Sequence, residues 1–180
     1  MKYQNVRYKI RNGDVLAFRG KRWYSWLIKF RTLSRVSHVG VAIWFGDRLC
    51  CLEALEGSGV RLYPVSKYME CGDWVDWYEL YDESISRKQL TDYALKSWGK
   101  RYASLWQFIR SWGIVCRRWF DKNLAPPDTN KDRFFCSEFV MSALREGGYS
   151  GEGFERPPAR TSPGDVVELP CLHRMGRLVP

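Results

Sequence analysis

Two apolar runs on either side of a short turn constrain this chain more than any other feature. "SHVGVAIWF" and "LCCLEAL" flank "GDR", and their β-branched and apolar alternation is that of paired strands in a hairpin. Side chains in a strand alternate between faces with a period of two. Val39, Val41, Ile43 and Phe45 therefore fall on one face of the first strand, and His38, Gly40, Ala42 and Trp44 on the other. The loop decides which face Glu53 joins. A two-residue loop at Gly46-Asp47, or a four-residue loop from Phe45 to Arg48, sets His38 opposite Leu55 and puts Glu53 diagonal to it on the same face. A three-residue loop turns Glu53 away. Diagonal neighbours lie about 7–8 Å apart at the backbone, a gap that a Glu and a His side chain can span.

The rest of the chain divides into a strand-rich and a helix-rich part. "DVLAF" follows the turn at Asn12-Gly13, "GVRLYPV" and "WVDWYEL" continue the strand pattern, and "SPGDVVEL" is expected to close the fold as a last strand. In "SISRKQLTDYALKSWG", Ser86 and Gln89 have the spacing of a capping box, Leu90, Tyr93, Ala94 and Trp98 form an apolar stripe, and Gly99 supplies the stop. A second helix is expected over 103–120, where Leu105, Phe108, Trp112 and Val115 recur at helical spacing, followed by an exposed loop over 121–132. The predicted class is α+β. A single domain over residues 1–180 is expected, because 180 residues with 45% apolar content suffice for one full core and fall short of two.

Charge and cysteine usage narrow the partners. The formal charge is +9, and the first forty residues hold ten Lys/Arg and one acid, Asp14. Such a basic end suits anionic lipid, nucleic acid or an acidic polymer. Tryptophan interleaved with Arg and Lys, in "KRWYSWLIKFR" and "IRSWGIVCRRWF", suits the headgroup zone of a bilayer. An anionic membrane surface is therefore an alternative partner, and a non-catalytic lipid-binding module the alternative function. Nucleic acid is disfavoured, because no recognised binding motif accompanies the charge. Six cysteines without framework spacing, two of them the vicinal Cys50 and Cys51, fit a reducing compartment better than a disulfide scaffold. The nearest approach to a ligand pair is Cys171-Leu172-His173, so no metal or other cofactor is expected, and His173 is expected at the surface. No run approaches the roughly 20 apolar residues of a membrane span, and the amino end lacks the apolar region of a signal peptide, which favours a cytoplasmic location.

One further stretch carries chemistry. In "RFFCSEFVMSALREGGY", Phe139, Val140, Ala143 and Leu144 form the buried stripe of a helix that starts at Cys136 and stops at Gly147-Gly148. A thiol in the first turn sits beside backbone N–H groups that have no partner inside the helix. Those groups and the helix dipole favour a thiolate and supply donors to an oxyanion. A base is then needed, and a base acting on a thiol must be oriented through its second ring nitrogen. His38 is the candidate base and Glu53 the candidate orienting carboxylate.

"GDVLAF", "SHVGVAI", "LEAL" and "FCSEFV", in that order, resemble the circularly permuted branch of the NlpC-like cysteine peptidases, the YiiX-like papain-fold hydrolases. The resemblance covers roughly residues 12 to 170. It implies a papain-like fold in permuted order, with an antiparallel sheet that carries the histidine and the acid packed against the helix that begins at the cysteine. It also implies Cys136 as nucleophile, His38 as base, Glu53 as the third member, and Tyr102 in "GKRYASLWQF" as a pocket residue near the thiol. The activity implied is hydrolysis through a thioester, of a peptidoglycan-type peptide or of a lipid. The chain departs from the pattern in two basic, tryptophan-rich insertions, "GKRWYSWLIKFRTLSR" and "SLWQFIRSWGIVCRRWF".

Overall fold

The computed structural model of the chain describes residues 1–19, 36–102, 133–155, 157–158 and 161–180. Both basic, tryptophan-rich segments, the expected second helix and the loop after it lie outside the described residues. The described part is α+β. Its strands are β1 (Val15–Phe18), β2 (His38–Phe45), β3 (Arg48–Leu55), β4 (Gly59–Pro64), β5 (Val75–Leu80), the short β6 (Arg101–Tyr102) and β7 (Arg133–Phe134), and β8 (Leu172–Leu178). Its helices are α1 (Tyr3–Val6), α2 (Val65–Glu70), α3 (Arg87–Lys96), α4 (Cys136–Glu146) and α5 (Pro163–Val167). Six strands make one sheet in the order β4-β3-β2-β1-β5-β8, and every neighbouring pair in it is antiparallel. The other two, β6 and β7, pair in parallel.

The β2–β3 connection is the two-residue loop Gly46-Asp47, with Phe45 opposite Arg48 and Val41 opposite Leu52. Gly46 takes φ 60°, a left-handed conformation that glycine adopts without steric cost. This register fixes both faces of the sheet. Val39, Val41, Ile43, Leu52 and Ala54 join one core, built with Phe139, Val140, Ala143 and Leu144 of α4. Leu16, Phe18, Ala42, Leu49 and Cys51 join a second core on the opposite face, closed by Tyr3 of α1 and by Val65 and Met69 of α2. Phe45, on the face of Val39, Val41 and Ile43 but the last residue before the turn, is 60% exposed.

Two expectations are corrected at the helices. "SPGDVVEL" contains α5, not a strand: Ser162 accepts a hydrogen bond from the Asp165 amide at 3.1 Å, Asp165 accepts one from the Ser162 amide at 2.8 Å, and Pro163 occupies the first turn. Serine, proline and an acid at those positions are a helix start, and that local signal overrides the β-branched pair that follows. The closing strand is β8 instead. In α3, Ser86 caps the Gln89 amide and Leu90 and Ala94 are buried, but the helix ends at Lys96 and Trp98 is 52% exposed beyond it.

Asp14 ties these layers together. Fully buried at the entry to β1, it accepts from the Arg11 and Leu80 amides at 3.0 and 3.2 Å, from Trp77 Nε1 at 2.8 Å and from Arg87 at 2.8 Å. One carboxylate therefore links the start of β1, strand β5 and helix α3. Removing one member of a buried ion pair leaves the other uncompensated, at about 3–5 kcal/mol. Asp14→Ala is expected to lose about that much in urea denaturation. Asp14→Asn, which keeps acceptor oxygen for part of the set, is expected to lose less.

Candidate functional site

The site forms where β2 begins. By the strand's alternation His38 lies on the face of Ala42, and the two-residue turn places Glu53 of β3 on that same face. Glu53 Oε2 lies 2.6 Å from His38 Nε2. A carboxylate can only accept, so Nε2 carries the proton and Nδ1 faces the rest of the site. The other carboxylate oxygen, Oε1, accepts from Tyr68 Oη at 2.5 Å and from Arg61 Nε at 2.9 Å. Arg61 stands directly opposite Glu53 in the β3–β4 pair, and Tyr68 reaches it from α2.

Close packing allows this arrangement. A Cβ added at Gly40, between His38 and Ala42, would overlap Cys51 Sγ and approach Leu52 O to 2.9 Å and Glu53 Cβ to 3.1 Å. The histidine ring also packs against Phe18 at 5.4 Å, Phe18 against Tyr68 at 4.7 Å, and Tyr68 against Tyr63 at 5.0 Å. These rings form a wall behind the imidazole.

Cys136 is the first residue of α4 and is 7% exposed. Phe135, at the N-cap, has no side-chain oxygen to offer the first-turn amides, and Glu138 instead reaches back to accept from the Phe135 amide at 3.2 Å. The helix packs on β2 and β3, which brings its thiol into electrostatic and hydrogen-bonding range of the His38 ring. Burial disfavours a charged imidazole there. The charges of Cys136 and Glu53, with hydrogen bonds to both, outweigh it and hold the His38 pKa up to about 10. Burial likewise works against the Glu53 carboxylate, but His38, Tyr68 and Arg61 overcome it and hold its pKa down to about 2. Burial, with the Cys51 and Glu53 charges, pushes the Tyr68 phenol well above its ordinary value, so it remains a donor.

Of the residues singled out in the sequence, His38, Glu53 and Cys136 come together. The backbone of Tyr102 pairs with Phe134, two residues before Cys136; its side chain lies outside what the structure describes. His173 is exposed on β8. Arg61 and Tyr68 went unnoticed in the sequence. For Arg61 a signal existed, since a tight turn after Leu55 sets it across from Glu53; for Tyr68 none did, because its approach depends on where α2 lands.

The sequence matches no protein-family model and no curated protein sequence. Its fold is similar to that of a solved structure described as the metalloprotein yiiX from Escherichia coli O157:H7, DUF1105, at 19% identity and a TM-score of 0.66, over 94% of this chain and 98% of that one. The word metalloprotein raises the question of a metal here, and the described residues do not fit one. Among them no three His, Cys, Asp or Glu side chains converge as ligands. Both Glu53 oxygens are already engaged by cationic or hydroxyl donors, and His38 Nε2 is turned to Glu53. Among the described residues no helix is long and apolar enough to cross a membrane.

The ionisation of this cluster gives a testable signature. Glu53 has a depressed pKa, so its contribution to stability is complete above its ordinary value of 4.5 and disappears as pH falls toward about 2. For His38 the pKa is raised, so its contribution is complete below 6.5 and is lost as pH rises through about 10. Thermal unfolding of wild type and Glu53→Gln is expected to differ most between those limits, with the gap closing on the acid side below pH 4.5. Gly40→Ala is expected to lose about 1–3 kcal/mol by overpacking; adding Cys51→Ala recovers part of it in a thermal melt, while the clash with Leu52 O persists.

Proposed function

We propose that the chain is a thiol hydrolase of permuted papain-like organisation, with Cys136 as nucleophile, His38 as base and Glu53 as the group that orients the base. One observation carries the reading. A single imidazole is held at Nε2 by a buried, fully coordinated carboxylate, and the helix-first thiol of Cys136 acts on the same ring. That is the polarity that thiol activation requires.

In this reading Cys136 gives its proton to His38 Nδ1, and the thiolate attacks the carbonyl carbon of an amide or ester. The backbone N–H at the start of α4 donates to the oxyanion. As the tetrahedral intermediate collapses, the bond to the leaving group breaks and His38 returns its proton to that group, leaving a thioester on Cys136. His38 then takes a proton from water, whose oxygen attacks the thioester carbonyl, and the free acid and the thiol are released. Glu53 keeps its charge throughout. It holds the ring and stabilises the imidazolium, and Arg61 and Tyr68 fix its position. A peptidoglycan-type peptide and a lipid ester or amide are both substrates of the right chemistry, and Tyr102, whose backbone pairs with β7, is the pocket residue that the resemblance implies.

Alkylation separates this from a cysteine kept for packing. With iodoacetamide near neutral pH, followed by peptide mass spectrometry, Cys136 is expected to label ahead of the other cysteines. His38→Ala is expected to slow that labelling, because it removes the cation that stabilises the thiolate, and Glu53→Gln to slow it less, because an amide still orients the ring. Cys136→Ser is expected to fold normally and to hydrolyse nothing. Labelling of Cys136 only after denaturation, or at an unchanged rate in His38→Ala, would sink the proposal.

A further inference from the structure

His38 has to be charged in one half of the proposed reaction and neutral in the other. While Cys136 is free, its thiolate and the imidazolium stabilise each other. Once Cys136 carries the thioester the thiolate charge is gone, and the ring must be neutral to take a proton from water. Burial disfavours the charged ring throughout. Two charges oppose burial, Cys136 first and Glu53 second in strength. Acylation removes the first and leaves the second, with Glu53 Oε2 2.6 Å from Nε2.

A buried carboxylate whose single counter-charge was the imidazolium would keep that ring protonated. The side chain of Glu53 is 2% exposed, and a neutral ring would leave its charge uncompensated. Arg61 removes that constraint. It stands directly opposite Glu53 on β4, and its Nε and Nη2 both lie 2.9 Å from Oε1. Tyr68 Oη donates to the same oxygen at 2.5 Å. Among the described residues, then, three donors meet Oε1 and the histidine alone meets Oε2. The Arg61 guanidinium also lies 4.6 Å over the centre of the Tyr63 ring, and Tyr63 packs against Tyr68. These contacts hold it on the carboxylate although its side chain is 32% exposed.

The other groups around the pair leave the charge balance to Arg61. On β3, burial pushes the Cys51 thiol well above its ordinary range, so it is neutral. Burial does the same for the Tyr68 phenol on α2. On β1, Phe18 is uncharged and Arg19 beyond it is paired with Asp76. On α4, Glu138 turns back to accept from the Phe135 amide. With Arg61 present, the set of Glu53, Arg61 and His38 is neutral when the ring is neutral. Without Arg61 it would be neutral only when the ring is protonated.

We infer that Arg61 is a positioning residue for the second half of the reaction: as the permanent counter-charge of Glu53, it lets His38 give up its proton once Cys136 is acylated, so that the ring can activate water. The inference rests on the reading of Cys136 as nucleophile. In that step the water oxygen bonds the thioester carbonyl carbon and Nδ1 takes one water proton. The carbon–sulfur bond then breaks, and the proton passes to the Cys136 sulfur as the free acid leaves.

Capping the thiol with iodoacetamide imitates the acylated state, because the carbamidomethyl group removes the thiolate and adds no charge. The sulfur bonds the CH2 carbon, iodide leaves, and peptide mass spectrometry locates the cap on Cys136. The His38 ring is then titrated by NMR. The chain has two histidines, so His173 gives the second signal and His38→Ala assigns the pair. In capped wild type the His38 midpoint is expected to fall from about 10 to about 6–8, where a base works best near neutral pH. Arg61→Gln, capped in the same way, is expected to raise that midpoint by about one pH unit. Arg61→Lys, which keeps the charge, is expected to leave it near the wild-type value, and thermal melts check the fold of each variant. A capped wild type that still titrates at about 10 overturns the inference with no variant needed. So does an Arg61→Gln midpoint that is unchanged or lower, or an Arg61→Lys midpoint as high as that of Arg61→Gln. A thiol that takes the cap only after denaturation overturns the reading of Cys136 as well.

Discussion

The site depends on one buried carboxylate. Glu53 is 1% exposed, and an uncompensated charge at that depth would be strongly destabilising. Its charge survives because every direction is answered: His38 on one oxygen, Arg61 and Tyr68 on the other. Each of those three comes from a different element, so the carboxylate also sets where β2, β4 and α2 stand relative to β3. Histidine orientation, the small residue at Gly40 and the ring wall behind the imidazole all follow from it.

How much of this could be read in the sequence depends on whether the information was local. The two strands of the β2–β3 hairpin were legible, but the sequence left the loop open between two, three and four residues, and the two-residue loop of the structure supplies the parity that puts His38 and Glu53 on a common face. The start of α4 was legible because its stripe, Phe139, Val140, Ala143 and Leu144, has a clear helical period. α5 was misread where two adjacent valines outweighed the Ser162-Pro163-Asp165 start. Strand β8 was missed because "LHRMGRL" alternates weakly and is ordered by pairing with β5, which lies more than ninety residues earlier in the chain. Tyr68 was missed for the same reason, since only the tertiary position of α2 brings its hydroxyl to Glu53.

Two buried acids at this end of the sheet lie on opposite faces of it. Around Glu53, one acid is met by partners that satisfy both its oxygens. Around Asp76, Arg19 takes one oxygen and Arg174 the other, with Arg177 at ion-pair distance and 3.9 Å over the centre of the Trp74 ring. The first arrangement fixes a ring; the second ties the end of β1 and strands β5 and β8 together.

The separation in sequence of the three central side chains bears on how the protein forms. His38 and Glu53 are 15 residues apart and meet within a hairpin, a contact that closes early because the intervening loop is short. Cys136 arrives about a hundred residues later along the chain, on a helix that must dock against a sheet already holding the hairpin. In the proposed reading, a half-folded chain carries the base without the nucleophile beside it. The thiol would gain its base only when the long-range packing is complete, and the order of the elements would keep a newly made chain chemically quiet until it is native.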